Sequence, residues 1–339
     1  MGRSDDIGFA AVARLAGVSP GTVSNTLNRP EKVAAATRER VLAAIEALEF
    51  VPNRAASALR LGSSKLIGLV VPETTNPFYA AIASAVSEEA ARLGYLMALC
   101  VSHDDPDLEL ASFNALAEQR AAGVLVVPLS ADRDRLRRLR MVGARLVLVD
   151  RTADPEEGCS VAVDDVRGGR LAVEHLVDSG CSSIVVVNGD LDIPQCADRS
   201  AGAHAAAAAA GVQLREVVVE RMTVEAGAQA GAALASDPPM GVFCANDQLA
   251  VGVITALTDA GVRVPEDVAV VGYGDLEIAD IGRVPLTTVE QPKARVGRAA
   301  VDALAAELST DAEQHEHVAA VFAPRLVVRR SAPGRRLSS

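Results

Sequence analysis

From Lys65 to about residue 308 the chain alternates short apolar runs with segments of helical periodicity, and this alternation restricts its fold more than any other feature. The runs are LIGLVV (66–71), LMALCV (96–101), GVLVVP (123–128), LVLVD (146–150), IVVVN (184–188), VVVE (217–220), GVFCAN (241–246) and VAVVGY (268–273). Most are apolar at consecutive positions, so both faces of each strand need cover, as in parallel strands sandwiched by helices. Helical segments at about 78–93, 107–121, 132–142, 167–179, 199–210, 224–236, 247–260 and 292–308 supply it. The alanine run 205–210 is a strong helix former on a packed surface. Two successive series of this size predict an α/β core (65–339) of two doubly wound subdomains, about 65–165 and 166–290, with crossover segments running toward the C-terminus. Ligands of such folds sit beyond the carboxyl ends of the strands, here in a cleft between the subdomains.

The first 64 residues have another texture. In GVSPGTVSNTLN (17–28) the breaker pair Pro20-Gly21 precedes a run that otherwise reads as helix. The pair marks a loop, or else Ser19 is an N-cap, Pro20 takes the first helical position, and Val23 and Leu27 form a buried side. The neighbours decide. A helix over Phe9–Ala16 has Val12, Leu15 and Ala16 spaced for one face. After a loop at 29–36, Thr37-Arg38-Glu39-Arg40 opens a third helix carrying Val41, Ile45 and Leu48 at helical spacing. Two helices joined by a tight turn containing Gly17, with a third in support, make a helix-turn-helix head over residues 1–51. Pro52 stops the third helix and Gly62-Ser63-Ser64 marks a linker. The short helical pattern between them is too short to hold alone, so 52–64 reads as a conditional hinge helix.

Charge supports a division of labour. The net charge is −11, yet residues 1–62 carry eight Lys/Arg against six Asp/Glu, leaving 25 against 38 in the remainder. A mildly basic head on an acidic body suits a protein of which one end meets phosphate. No apolar run reaches the length of a membrane span and MGRSDDIGFA lacks a signal-peptide pattern, so a cytoplasmic protein with no membrane partner is expected. Five scattered cysteines without Cys-x-x-Cys read as free thiols with no metal or redox role. His315 and His317 read as part of a solvated loop, and His103, His175 and His204 lack partners at ligand spacing. Neither G-x-G-x-x-G after a first strand, nor G-x-x-x-x-G-K-[ST], nor G-x-S-x-G occurs, so no cofactor and no enzyme activity are expected.

The blocks VARLAGVSPGTVSNTLN, TRERVLAAIEALEFVPNRAASALR, IGLVVPETTNPFYA, VLVDR, CANDQLAVGVITAL and VAVVGYGD…PLTTVEQP, in this order from about residue 7 onward, resemble the lactose/purine repressor family of bacterial transcription regulators. The resemblance implies a homodimeric repressor. Its helix-turn-helix enters the major groove of a pseudo-palindromic operator and its hinge helix the minor groove, while a small effector in the core cleft controls affinity. It places Ser19, Pro20, Gly21, Thr22, Ser24, Asn25, Asn28, Lys32 and Thr37 at the DNA, with Asn53, Arg54, Ala56, Ser57 and Leu59 in the hinge, Leu59 as an apolar wedge. It places Phe78, Tyr79, Asp150, Arg199, Met222, Asn246 and Asp275 around an effector that is a sugar or sugar derivative.

Two departures from the family pattern matter. Pro20 and Gly21 bring no side-chain donor or acceptor to base edges, which shifts readout onto Ser24 and Asn25, or else they only shape the turn. Gly274 stands where sugar-binding relatives often carry an acid, so either Asp275 takes over or the ligand lacks that demand. Simpler readings stand beside these: Asp150-Arg151 as a surface ion pair, Phe78 and Tyr79 as core aromatics. Two rival functions are a solute-binding receptor without catalysis and a nicotinamide enzyme; the head and the absent dinucleotide fingerprint argue against them. No heptad pattern occurs over 331–339, so a dimer rather than a tetramer is expected.

Overall fold

The computed structural model describes residues 8–50, 65–129, 145–152, 158–309 and 315–334, and the chain divides into two compact units, Met1–Ser64 and Lys65–Ser339. The expected hinge, with Asn53, Arg54, Ala56, Ser57 and Leu59, and the expected helix at 132–142 lie outside the described residues.

In the first unit, α1 (Phe9–Ala16), α2 (Pro20–Asn28) and α3 (Ala35–Ala47) enclose a small core of Val12, Ala13, Ala16, Val23, Val41, Ala44 and Phe50. Gly17 ends α1 at φ 65°, a left-handed conformation that glycine adopts without penalty. Two residues on, Ser19 Oγ accepts the Thr22 N–H at 3.1 Å and Pro20 takes the first helical position. The Pro-Gly pair therefore starts a helix. Leu15 departs from expectation, being 56% exposed. It lies three residues from Val12, about 60° to one side, whereas Ala13 and Ala16 fall on the other side and set the direction of the core. α3 begins two residues before Thr37, after a single 3-10 turn at Pro30–Lys32.

The second unit contains two six-stranded sheets. The first comprises β1 (Leu66–Val71), β2 (Leu96–Val101), β3 (Gly123–Val126), β4 (Arg145–Val149), β5 (Ser160–Val163) and β11 (Ala319–Phe322), in the order β11-β5-β4-β3-β1-β2, all parallel. Its helices are α4 (Pro77–Arg92), α5 (Pro106–Glu118) and α11 (Lys293–Ser309). The second comprises β6 (Ser183–Asn188), β7 (Gln213–Val218), β8 (Gly241–Cys244), β9 (Ala269–Gly274), β10 (Thr287–Glu290) and β12 (Arg325–Val327), in the order β12-β10-β9-β8-β6-β7. Only β12 is antiparallel there. Around it lie α6 (Asp165–Asp178), α7 (Pro194–Ala210), α8 (Val224–Leu234), α9 (Asp247–Asp259) and α10 (Ile278–Ile281). The chain passes between the sheets three times: after β5, after β10 and between β11 and β12.

Alternation along the strands feeds cores on both faces of each sheet. Leu69, Leu125 and Val147 pack with Ile82 and Val296, whereas Val70, Val124 and Leu148 pack with Phe113 and Leu116. Two strands expected to be buried are edges instead. On β2, Leu96 and Leu99 are exposed, and β7 starts four residues before the expected 217–220 with a mixed polar pattern. β5, β10, β11 and β12 are short, and sequence runs did not mark them. α7 begins at Pro194 rather than 199, its polar first turn having hidden it.

Candidate effector cleft and DNA-reading face

The carboxyl ends of the two sheets face each other across a cleft. On the first side, Asn76 caps α4: its side chain accepts the Phe78 N–H at 3.0 Å, with Pro77 at the first helical position. This sets Phe78 and Tyr79 in the first turn, rings edge-to-face at 5.4 Å. Phe78 belongs to the core, with Tyr79 packed against it, and both also line the cleft. Asp150 follows β4 at φ 59° and is only 4% exposed, which rules out a surface ion pair.

On the second side, α7 presents Gln195, Cys196 and Arg199. Gly169 and Gly202 let α6 and α7 touch through their backbones: a Cβ on Gly169 would lie 2.0 Å from the Arg199 carbonyl oxygen. Arg199 is therefore fixed beside Asp165. Its Nε donates to Asp165 Oδ1 at 2.8 Å, its Nη1 to the Ala245 carbonyl at 2.9 Å, and its guanidinium lies 4.0 Å from the centre of the Tyr273 ring. The Tyr273 hydroxyl donates to the same Asp165 oxygen at 2.6 Å. Burial opposes the Arg199 charge, but Asp165, followed by Tyr273, Cys196 and Asp150, holds its pKa above the ordinary range. Asn246 caps α9 through the Leu249 N–H at 2.8 Å and donates to the Met222 carbonyl at 2.8 Å.

Gln195 reaches across the cleft, its Nε2 donating to Asp150 Oδ2 at 3.0 Å and to the Asp150 carbonyl at 2.5 Å. Burial, then the Asp165 charge, push the Asp150 carboxyl up to about 8, against the opposing pull of Arg199 and Gln195. Asp150 Oδ1 and Gln291 Nε2 are buried and, among the described residues, make no hydrogen bond. Both residues line an inner cavity of about 40 Å3 together with Phe78, Tyr79, Arg199, Met222 and Asn246. An outer chamber of about 370 Å3 shares Asn76, Tyr79, Ile193, Gln195 and Met222 with it.

Six of the seven expected effector residues thus line the cleft; Asp275 does not. Its carboxylate accepts Arg329 Nη1 at 2.8 Å, away from the cavity lining. Gly274 does line the cavity, at φ 130°, where a Cβ would come 3.3 Å from Asp247 Oδ2 and Leu276 Cγ. That backbone is open to glycine alone, so the acid missing from position 274 has no unstrained place. Gln195, Gln291 and Tyr273 were not among the expected residues. Gln291 stands in the EQP block and Gln195 in a stretch that reads as loop, and neither type announces a role by itself.

On α2, Ser19, Pro20, Gly21 and Asn25 are exposed, Thr22 and Ser24 half-buried, while Val23 and Thr26 face the core. Asn28 is the last residue of α2, Lys32 is exposed in the 3-10 turn, and Thr37 lies half-buried in the first turn of α3. Gly21 and Asn25, four residues apart, share one outward face of the helix.

A helix-turn-helix unit in one chain with a doubly wound core, whose polar cleft opens at the strand ends, defines the ligand-responsive DNA-binding regulators. Residues 10–53 match the model for bacterial regulatory proteins of the lacI family, and residues 173–332 match the periplasmic binding protein-like domain. The HTH-type transcriptional repressor PurR of Photobacterium profundum is 33% identical, over 94% of this chain and 97% of its own. Among solved structures, the Lac repressor dimer bound to operator and the anti-inducer ONPF superposes with a TM-score of 0.84 at 28% identity, covering 95% of this chain and 97% of that one. The transcriptional regulator CelR in complex with cellobiose gives 0.71 at 32% identity, covering 95% and 99%. The chain belongs to the lacI family of bacterial regulatory proteins. It is a transcriptional repressor under effector control, not an enzyme. Among the described residues no helix is long and apolar enough to cross a membrane.

Proposed function

We propose that this chain acts in the cytoplasm as a homodimer on a pseudo-palindromic operator, and that its effector is a neutral, polyhydroxylated molecule, a sugar or sugar derivative. One observation carries the effector class. Asp150 Oδ1 and Gln291 Nε2 are buried, without a hydrogen-bond partner among the described residues, and both residues line one cavity. A ligand hydroxyl both donates and accepts, so it pairs with the first in either protonation state and accepts from the second, removing two desolvation penalties at once. A flat nucleobase is served less well, because Phe78 and Tyr79 lie 69° apart and Met222 offers no second flat face. An anionic sugar phosphate meets Glu73, Asp104, Asp190, Glu220 and Glu225 in the outer chamber, against Arg221. The cellobiose held by CelR belongs to the favoured class.

At the DNA we assign base readout to Ser24 and Asn25 on α2, with Ser19, Thr22, Asn28 and Thr37 flanking and Lys32 on phosphate. The hinge assignment, with Leu59 as wedge beside Ala56 and Ser57 and with Asn53 and Arg54 at the backbone, rests on sequence. The corresponding division is 1–51 for the head, 52–64 for the hinge and 65–339 for the effector core.

Thermal denaturation of the full chain with neutral sugars, sugar phosphates and nucleobases tests the effector class. A ligand at 100 times its Kd adds about 2.7 kcal/mol. A neutral sugar should raise the melting temperature of wild type and leave Asp150→Ala unmoved. Stabilisation by a nucleobase or a phosphate alone would overturn the proposal.

A further inference from the structure

The histidine pair expected on a solvated loop stands instead at the lead-in to β11. This strand pairs with β5 in parallel register, Ala319 beside Ser160, and the Ser160 N–H donates to the Val318 carbonyl at 2.9 Å. Cys159, just before β5, is buried. Residues two apart in extended chain face the same way. Both imidazoles accordingly reach Cys159, with Nε2 of His315 at 3.2 Å and Nδ1 of His317 at 3.8 Å from Sγ. Glu307, near the end of α11, completes the group with Oε1 3.4 Å from His317 Nδ1. One ligand atom from each of the four residues lies within 4.8 Å of the others.

The carboxylate adds a second, independent observation. Glu307 is 3% exposed, and among the described residues its Oε1 makes no hydrogen bond, although it lies within ion-pair range of the His317 ring. An anionic oxygen left in that state is costly unless a cation comes to it. We propose that Cys159, Glu307, His315 and His317 form a four-coordinate site for a divalent cation of the zinc class. One thiolate and one carboxylate neutralise a dication, and two neutral imidazoles complete a tetrahedral sulfur, nitrogen and oxygen set. Binding releases the Cys159 thiol proton to solvent. Bond lengths of about 2.0–2.3 Å put tetrahedral ligands roughly 3.4 Å apart, so the closest pairs are in place and the widest, within 4.8 Å, must close by up to about 1.4 Å. The His317 side chain is 34% exposed, which leaves the cation a way in.

The ligands come from the three segments that carry the passages between the subdomains. β5 leads into the first, α11 receives the second and β11 leads into the third. A bound cation ties these segments together at the amino ends of β5 and β11, away from the cleft. It stabilises the core by mass action.

The test uses the full chain, free of affinity tags and stripped with chelator, then titrated with zinc by calorimetry and assayed for bound metal. One zinc per chain is expected, with a melting temperature that rises with zinc and, after cobalt substitution, the visible absorption of tetrahedral thiolate-bound cobalt. Removing a ligand should weaken zinc by at least about 100-fold, beyond the usual effect of a residue outside the coordination shell. His204→Ala and Cys100→Ser should leave binding unchanged. Cys159 packs in the core, so its replacement by Ser can unfold the chain, and His317→Ala carries the decision. Substoichiometric binding, or equal affinity in wild type and His317→Ala, overturns the site.

Discussion

Asp150 is held between two opposing demands: its carboxyl is buried at the strand end, yet one oxygen has no hydrogen bond among the described residues. Burial, then Asp165, raise it to about 8 from an ordinary value near 3.8, so across that interval the folded chain keeps a proton that the unfolded chain releases. Stability must therefore fall as pH climbs from about 4 to 8, the sign set by proton uptake on folding. Asp247, pushed up to about 6 by burial, acts in the same direction over a narrower range. Asp150→Asn keeps the shape and removes the titration. It should flatten the decline between pH 6 and 8 and raise the melting temperature at pH 8, as measured by calorimetry at constant ionic strength. An unchanged slope would place the effect elsewhere. At this scale the sequence was informative where a residue type and a strand end coincide, as for Asp150 and Asn246. Asp275 lies off the cavity lining, and its pairing with Arg329 joins residues 54 positions apart that no local pattern connects.

Among the elements, α2 was the most legible, since cap, proline and apolar spacing all point to one start. Edge strands were the least legible. LMALCV is as apolar as a central strand, and only its place in the sheet order exposes it. β5 and β11 are four-residue strands whose identity comes from pairing with each other. On α2, Gly21 gives a test that separates folding from recognition. Its backbone needs no glycine, and an added Cβ would meet only Ser19 Oγ, at 3.6 Å. Gly21→Ala should therefore stabilise the head by up to about 1 kcal/mol through helix propensity. Hydrogen exchange of the α2 amides in the full chain reads that gain. If the exposed face meets base edges, the same methyl should alter operator preference in a randomised-operator selection. Asn25→Ala should relax one symmetric position at a cost of about 1–3 kcal/mol. Unaltered preference in both variants would remove α2 from base readout.

For the whole molecule, the alternation of runs and helices was enough to give two doubly wound subdomains, because each βα unit announces itself locally. What lay beyond reach was how the subdomains meet, which depends on side chains brought together by three separate passages of the chain. Among the described residues, a hydrogen-bond pair and an ion pair join the opposite walls of the cleft. Gln195 on α7, itself half-buried, holds the carbonyl and carboxylate of the buried Asp150, while Arg221 lies 3.9 Å from Glu73 with its side chain 69% exposed. Their environments predict unequal weight. An exposed ion pair contributes about 0–1 kcal/mol, whereas removing the donor to a buried carboxyl leaves the Asp150 oxygens short of a partner at about 1–3 kcal/mol. Gln195→Ala should therefore favour the open cleft and weaken the effector roughly tenfold, and Arg221→Ala should leave affinity nearly unchanged. Because operator binding is linked to the cleft, Gln195→Ala should also shift the effector concentration that switches operator affinity, by the factor seen in effector binding. Calorimetry of the effector and a mobility-shift titration with effector measure the two quantities on the same protein. Equal effects of both substitutions, or none from Gln195→Ala, would show that the cleft closes without this clasp.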